Sequence, residues 1–425
     1  MQKLKAQQFI ADRIIKRDTL KGSISQPIVK IGVTGIAMGI CVMLLSVFIV
    51  LGFKHEIIRR ITSLSAHLTI TNLNSDEGNE SLPLRFSKDS LHQAEQLEGV
   101  QQIVPIGLRN GILSTKEENE GVVVKGVPER YNFEFLTGHL VKGRIIKYKM
   151  GELSKDILIS QRLASKLSLD TGSRMKVFFI VNRQITDSIT GETVQQAEPR
   201  SWSFKVCGIF KTDFIDFDEQ LCLVDLRQLQ RLCYWDSLTC GAYEVQLNDM
   251  SNTAVARDQL EDYFGMQVNV SSVREQYYNL FTWLDKLDIN GVILVVLMVI
   301  VATFNMITAL LILILERTTM IGMLKALGMS NASVRDVFLQ LSRRLVLKGL
   351  FYGNSATIAL YFLQTEFGIV KLDPETYYVN QVMLSFNWQY FVLLNVGTFV
   401  ICMAMLLLPA MLIARLTPVK TLKFD

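Results

Sequence analysis

Residues 31–53 read IGVTGIAMGICVMLLSVFIVLGF, without one charged side chain. Because a helix crosses a bilayer with about 20 consecutive apolar residues, this stretch predicts a membrane-spanning helix over residues 28–53. The next uncharged stretch of spanning length begins only at Ile289. The intervening residues 54–286 have ordinary mixed composition and are long enough for one or two domains of about 100–200 residues each. The spacing therefore predicts a large folded body inserted between the first two spans.

Hydropathy indicates three further spans, of which one is weak. Residues 289–315 and 388–414 carry no charge and exceed the spanning length, which predicts helices over 287–315 and 388–414. After Lys348 only about 17 uncharged residues follow, fewer than a bilayer usually needs. A full span over 345–365 requires the Lys348 ammonium to extend toward the headgroups. The sequence thus predicts an α-helical membrane protein with four transmembrane helices.

Charge asymmetry predicts the orientation of these helices. Lys and Arg are concentrated in the N-terminal segment 1–27, predicted to be amphipathic, in the connection 316–344 and in the tail 415–425. The positive-inside rule places all three, and hence both termini, in the cytoplasm. The short connection 366–387 has more acidic than basic residues and is predicted to lie outside with the body 54–286, because long translocated domains escape the rule.

Within the body, residue patterns predict a large mixed α/β domain. Apolar runs and polar-apolar alternation indicate strands, and apolar residues at helical spacing indicate helices. The predicted strands are 66–72, 122–127, 156–159, 174–181, 201–210, 220–224 and 242–247, and the predicted helices are 90–97, 160–169 and 226–232. Between strands 174–181 and 201–210 the sequence predicts a long polar loop, residues 182–199.

Motifs of catalysis and metal binding are missing from the sequence. The histidines His55, His67, His92 and His139 stand far apart, without a metal-ligand spacing. The chain also lacks a phosphate-binding loop and a Gly-x-Ser-x-Gly nucleophile motif. The net charge of +4 follows from the basic segments beside the spans and does not form a nucleic-acid-binding patch. These patterns predict a protein that is not an enzyme.

The cysteines leave one question open. Cys41 and Cys402 lie in predicted spans, where a thiol behaves as a small hydrophobic group. Cys207 and Cys222 fall in predicted strands, which favours buried free thiols. Cys233 and Cys240 are close enough in sequence to be bridged, but sequence alone does not fix a pairing.

The connection after the second span carries the most informative motif, ERTTMIGMLKALGMS at residues 316–330. Ile321, Leu324 and Leu327 recur at helical spacing, and Gly328 is placed to end the helix. Ser330 or Asn331 can cap the next helix. Periodicity alone is compatible with a helical hairpin that rests on the membrane surface.

This segment resembles the E-R-x-x-x-I-G-x-L-K-A-L-G stretch of the FtsX/MacB-type ABC transporter permeases, in which the loop contacts a cytoplasmic ATPase. Other stretches resemble the lipoprotein-releasing (Lol) permeases of that superfamily. They are FIADR at 9–13, the first span with its flanks at 28–57, SQRLASKLSLDTGSRMKVFF at 160–179, PRSWSFKVCGIF at 199–210, LDPETYYV at 372–379 and PAMLIARLTPVKTL at 409–422. The resemblance runs nearly end to end, in the order that hydropathy predicts.

The resemblance implies a permease of the bacterial inner membrane with a MacB-like periplasmic core. Such a permease pairs with a second copy or a paralogue, binds two ATPase subunits and passes a lipoprotein from the membrane to a periplasmic carrier. ATP and Mg would be bound by the ATPase, and no cofactor is expected in this chain. The residues expected to contact the ATPase are Glu316, Arg317, Ile321, Gly322, Leu324, Lys325, Ala326, Leu327, Gly328 and Ser330.

The family likeness also implies two cargo-handling regions. The residues expected near the lipid-binding cavity are Met38, Val42, Leu45, Phe48, Ile49, Leu294, Met298 and Val301. In one subtype of Lol permease the hairpin matching 182–199 binds the carrier, which would involve Asn182, Arg183, Thr190, Gly191 and Pro199. Here the hairpin tip is polar, so a solvated hairpin is the alternative.

Two other functions are compatible with the superfamily. One is an FtsX-like signal transducer that controls a periplasmic hydrolase, although its exposed domain is typically smaller. The other is a MacB-like efflux permease, which carries its own N-terminal nucleotide-binding domain, whereas about 30 residues precede the first span here.

Overall fold

The computed structural model describes residues 25–75, 82–115, 118–149, 151–186, 193–316 and 318–407. The chain divides into two compact units. Among the described residues, the helical unit takes those up to His55, Thr282–Lys371 and those from Gln381 onward. The α/β unit takes Glu56–Phe281 and the short segment Leu372–Asn380.

Helices and strands are numbered in chain order. The helices are α1 (Ser25–Ser65), α2 (Lys88–Ala94), α3 (Glu134–Gly138), α4 (Gln161–Lys166), α5 (Ile215–Gln220), α6 (Leu226–Leu232), α7 (Thr253–Phe264), α8 (Val273–Gln276), α9 (Tyr278–Glu316), α10 (Thr318–Ala326), α11 (Asn331–Phe367), α12 (Pro374–Tyr377) and α13 (Trp388–Met405). The strands are β1 (Leu68–Asn72), β2 (Leu84–Arg85), β3 (Val100–Ser114), β4 (Asn119–Val127), β5 (Leu140–Gly143), β6 (Asp156–Ser160), β7 (Arg174–Thr186), β8 (Thr193–Phe210), β9 (Leu221–Asp225), β10 (Thr239–Cys240), β11 (Ala242–Leu247) and β12 (Val268–Ser272).

Three helices in the described part of the chain are long and apolar enough to cross a membrane. Their apolar segments are Lys30–Ser65, Tyr278–Glu316 and Trp388–Met405. The predicted span 345–365 lies within α11 but does not reach this hydropathy, because Lys348 and Asn354 interrupt its apolar residues. The fold thus contains apolar helices of a membrane protein. The predicted number of four spans is reached only if α11 also crosses the membrane.

Helix α1 continues well past the predicted end of its span at Phe53. The following residues keep apolar side chains at helical spacing, since Ile57, Ile61 and Leu64 are all buried. Glu56 and Arg60 add an ion pair one turn apart, with 2.8 Å between Oε1 and Nε. The helix therefore ends only at Ser65, inside the α/β unit.

Small residues let α1 pack closely in the helical unit. A Cβ atom at Gly39 would lie 3.3 Å from the Cβ of Ala302 on α9. A Cβ at Gly353 of α11 would overlap with Cγ2 of Ile40. Gly349 stands four residues before Gly353 and meets Ile36 in the same way, which makes a small-x-x-x-small contact. These contacts place α1 directly against both α9 and α11.

The α/β unit is built on a sheet in which, among the described residues, ten strands take part. Its order is β12-β1-β11-β3-β4-β9-β6-β8-β5, and β7 pairs with β3 and β8. Strand β3 joins the two halves of the sheet. Its first half pairs with β11 and its second half with β4. Each half has its own buried apolar cluster.

The predicted polar loop 182–199 is shorter in the structure. Strand β7 runs to Thr186 and β8 starts at Thr193, with continuous antiparallel pairing between them. Polar side chains are compatible with this extension, because a protruding two-stranded ribbon needs no buried face to complete its backbone hydrogen bonds. Much of the segment predicted as loop is therefore paired strand.

All six cysteines lie in the described part of the chain and are free thiols. Cys240 is buried and its Sγ donates to the carbonyl of Ala242 at 3.3 Å. The bridge between Cys233 and Cys240, left open by the sequence, is not formed.

Candidate functional site

The segment after α9 forms a short helix, a turn and the start of α11. The backbone N–H groups of Leu327, Gly328 and Met329 donate at 3.0 Å to the carbonyls of Met323, Lys325 and Leu324, which closes the C-terminus of α10. Gly328 has φ +90°, a left-handed conformation that favours glycine, and a Cβ there would meet no atom within 4 Å. Ending the helix therefore depends on backbone conformation and not on a close contact.

Ser330 caps the helix that follows. Its Oγ accepts a hydrogen bond from the Ser333 backbone N–H at 3.3 Å, as an N-cap residue does. Of the two candidate caps that the sequence offered, Ser330 is the one used. Arg317 lies outside the described residues.

The predicted ATPase-contacting residues divide between a buried and an exposed face. Ile321 is 0% exposed and packs in one apolar cluster with Val334, Val337 and Phe338 of α11. Gly322 is buried as well, whereas Leu324 and Lys325 are half-buried. Partial burial lowers the pKa of the Lys325 ammonium. The buried face thus anchors α10 to the helical unit.

On the opposite face of α10, apolar side chains are exposed. Leu327 is 83% exposed and Met323 is 50% exposed. Ala326, Gly328, Ser330 and Glu316 are exposed too. Exposed apolar side chains that lie together, as Met323 and Leu327 do here, can mark a protein-binding surface. We call Met323, Ala326, Leu327 and Gly328 the α10 tip.

The residues expected near the lipid-binding cavity have different environments. Met38, Ile49 and Val301 are exposed, and Val42, Leu45, Leu294 and Met298 are half-buried. Phe48 is buried and packs against the rings of Tyr361 and Phe386, at centroid distances of 6.3 and 5.2 Å. The exposed members lie on α1 and α9. Helix α9 carries further exposed apolar residues, which are Ile289, Val292, Ile293, Val296, Leu297, Ile300 and Phe304.

The hairpin residues are described only in part. The backbones of Asn182 and Arg183 pair with Ala197 and Gln196, while Thr190 and Gly191 lie outside the described residues. Pro199 is exposed and faces Ile180 across the ladder. At the base of the hairpin, Ile112, Phe178 and Ile180 expose apolar side chains. The hairpin thus rises from an apolar surface.

A buried charge cluster fastens the end of α1 and was not foreseen in the sequence. Lys125 on β4 is buried, with its Nζ 2.6 Å from Glu244 Oε1 and 3.2 Å from the Tyr131 hydroxyl. The same Nζ donates to the carbonyl of Leu64, in the last turn of α1. Burial alone would lower the pKa of Lys125, but the adjacent Glu244 carboxylate raises it. In the sequence, Lys125 sits inside VVVKGV, which indicates only a strand.

Within the described ranges, no group of His, Cys, Asp and Glu side chains is arranged to hold a metal ion. The features that stand out in the described residues are the α10 tip, the exposed apolar side chains of α1 and α9, the β7–β8 hairpin and the Lys125 cluster. They define a membrane protein in which the α/β body lies, along the sequence, between the first two apolar helices. The second apolar helix leads to an exposed apolar turn.

Family comparisons agree with this class. The model of the MacB-like periplasmic core domain matches residues 31–263, more than half of the chain, and that of the FtsX-like permease C-terminal region matches residues 292–418. The chain belongs to the family of permeases with a MacB-like periplasmic core domain.

Individual relatives extend the match along the chain. The lipoprotein-releasing system transmembrane protein LolC of Xylella fastidiosa is 24% identical over 92% of this chain and 93% of its own length. LolE of Haemophilus influenzae is 22% identical over 96% and 97%. The solved periplasmic region of MacB from Actinobacillus actinomycetemcomitans is 13% identical, covers 52% of this chain and 95% of its own, and has a TM-score of 0.33. The resemblance to lipoprotein-releasing permeases is confirmed.

Proposed function

We propose that this chain is the permease subunit of an ATP-driven transporter that extracts lipoproteins from the inner membrane and delivers them to a periplasmic carrier. The observation that carries the proposal is similarity to both LolC and LolE along more than nine-tenths of the chain. That similarity covers the α/β body, the apolar helices and the α10 tip together. The chain itself would hydrolyse nothing, and ATP and Mg would be bound by a separate ATPase.

The α10 tip is the proposed ATPase contact. Leu327 and Met323 offer an apolar surface, and the buried Ile321 ties α10 to α11. A displacement imposed on the tip by the ATPase would therefore reach α11 through packed side chains, which suits a switch between two rigid arrangements. Lys325, half-buried beside the tip, adds a positive charge.

The unit assignment supports a four-span topology with both termini in the cytoplasm. The segment Leu372–Asn380 belongs to the same compact unit as the α/β body, which agrees with a topology that puts both on one side of the membrane. If α9 carries the chain from the body across to the α10 tip, α11 must carry it back before Leu372. In this topology α11 spans in spite of its polar residues.

Exposed apolar side chains on α1 and α9 are the proposed surface for a second permease and for the lipid chains of the cargo. Met38, Ile49 and Val301 are exposed there, together with the apolar row of α9 that begins at Ile289. In a bilayer such side chains contact lipid, a partner helix or the acyl chains of a substrate. The β7–β8 hairpin and the apolar residues at its base are the proposed surface for the carrier.

The deciding experiment compares the complete transporter with the chain alone. Reconstituted with its ATPase and second permease, the chain should support ATP-dependent release of an acylated lipoprotein to the carrier, and the purified chain should hydrolyse no ATP. In cells, depletion should leave outer-membrane lipoproteins in the inner membrane. Normal lipoprotein sorting combined with failed cell separation would instead support the FtsX-like transducer.

A further inference from the structure

Three separate passages of the chain meet in the α/β unit. Helix α1 ends there at Ser65, and Tyr277 lies there immediately before α9. The third passage is Leu372–Asn380, from the connection between α11 and α13. Both ends of this short segment continue into the helical unit. Specific contacts are therefore needed to hold the segment in the α/β unit.

A row of aromatic rings provides such contacts. The ring of Tyr378 stacks on Phe214, with centroids 4.8 Å apart and an interplanar angle of 29°. Phe214 contacts Phe217 at 5.1 Å, and Phe217 contacts Tyr277 at 6.0 Å. The Tyr277 hydroxyl lies 2.9 Å from Ser65 Oγ. This aromatic row, Phe214, Phe217, Tyr277 and Tyr378, joins all three passages at distances typical of favourable ring pairs.

The centre of the row is fixed in place. Phe214 is fully buried, and the turn before it is held by Asp218, whose carboxylate accepts hydrogen bonds from the Thr212 N–H and the Asp213 N–H at 3.1 Å. Arg60 on α1 donates from Nη1 to the Thr212 carbonyl at 2.7 Å. The turn that carries Phe214 is therefore attached to α1 by a charged hydrogen bond as well as through the row.

The docked segment also has an unusual conformation. Tyr378 has φ +58°, a left-handed backbone that non-glycine residues seldom adopt. The adjacent Val379 is fully buried, and the Leu372 N–H donates to the Asn380 carbonyl at 3.0 Å. Burial of Val379 and stacking of Tyr378 together offset the conformational free energy that the left-handed backbone costs. The backbone conformation of the segment therefore suits its packing in the α/β unit.

We infer that Phe214 and Tyr378 are positioning residues of the transport cycle. They hold the connection between α11 and α13 to the same body as the ends of α1 and α9, so that an ATP-driven movement of these two helices also moves that connection. This role rests on the proposed transport function. A ring pair that served only folding would affect stability without changing the yield of transport per ATP.

The test measures ATP hydrolysis and lipoprotein release in the reconstituted complex with the full chain. The variants are Tyr378→Ala, Tyr378→Phe and the control Tyr377→Ala, whose side chain is 43% exposed next to the row. We expect Tyr378→Ala to hydrolyse ATP at nearly the wild-type rate but to release about three- to tenfold less lipoprotein per ATP, the effect of losing one aromatic pair. Tyr378→Phe keeps the ring and should keep the wild-type ratio, as should the control.

Two results would overturn the inference. One is a wild-type release ratio in Tyr378→Ala, and the other is a proportional fall of hydrolysis and release, which indicates a structural role only. If Tyr378→Ala does not assemble, Tyr378→Leu, which retains apolar bulk without a ring, is judged by the same ratio. A wild-type complex that hydrolyses ATP and releases no lipoprotein contradicts the proposed function itself, which keeps the two failures distinct.

Discussion

At the residue scale, Lys125 shows how one side chain fixes the end of a long helix. Its ammonium binds Glu244, the Tyr131 hydroxyl and the Leu64 carbonyl in a site closed to solvent. A buried charge is tolerated only when it is paired and hydrogen-bonded, and both conditions hold here. The sequence gives little sign of this role, because two of the three partners, Leu64 and Glu244, are far away along the chain.

Replacing Lys125 by Met should therefore destabilise the protein strongly. The substitution leaves the Glu244 carboxylate buried without its partner, which costs about 3–5 kcal/mol of unfolding free energy. Urea unfolding of the detergent-solubilised chain, followed by tryptophan fluorescence, measures the change.

The matched control is Lys149→Met. Lys149 pairs with Glu152 at 3.3 Å on the surface, where side-chain exposures are 73% and 72%, and its loss should cost less than about 0.5 kcal/mol. Equal effects of the two substitutions would contradict the role given to Lys125. Since the pKa of Lys125 is raised in the folded state, its contribution is complete below the unfolded value of about 10.4 and is lost only as pH rises through the folded pKa.

At the scale of elements, the α10 tip was largely predictable and strand β3 was not. Helical spacing, a helix-ending glycine and a serine cap are local signals, and Gly328 and Ser330 act as the sequence predicts. Strand β3 contains Pro105 and two glycines, which locally argue against a strand, and it is stabilised by pairing with β11 and β4 from distant parts of the chain. Ile321 and Leu327 belong to the same series of apolar residues at helical spacing. The sequence therefore cannot show that the Ile321 side chain is buried and the Leu327 side chain exposed.

We predict that the α10 tip is required for assembly with the ATPase. Leu327→Asp should abolish ATPase binding, because a carboxylate would lose its hydration in an apolar interface. The fold should persist, since the Leu327 side chain is 83% exposed. Co-purification with the ATPase and the ATP hydrolysis rate of the complex measure the effect.

Val255→Asp provides the comparison. Val255 is an apolar residue of α7 in the α/β unit with 55% exposure, so its replacement introduces the same charge far from the cytoplasmic face in the proposed topology. ATPase binding should be unchanged in this variant. Undiminished binding by Leu327→Asp would show that the ATPase contacts another surface.

At the scale of the whole molecule, the sequence predicted the arrangement of body and helices but left one helix in doubt. Long apolar stretches are read directly from hydropathy, as for α1, α9 and α13. Helix α11 is different, because Gly349 and Gly353 pack on Ile36 and Ile40 and its interior tolerates polar groups that have partners. One such group is Asn354, whose Nδ2 donates to Asn395 Oδ1 on α13 at 2.8 Å. Polar residues paired inside a bundle lower the hydropathy without preventing a span.

Whether α11 crosses the membrane can be decided with two cysteine variants, because α11 is the only long helix between Leu327 and Tyr377. Both positions are exposed, at 83% and 43%, so Leu327→Cys and Tyr377→Cys should react readily with a membrane-impermeant maleimide. In intact spheroplasts only Tyr377→Cys should gain label over the parent chain, and Leu327→Cys should gain it after permeabilisation. Labelling of both from one side would mean that α11 does not cross. The α/β body and Leu372–Asn380 form one unit, so that result would place the α10 tip on the body's side of the membrane and remove it from any cytoplasmic ATPase.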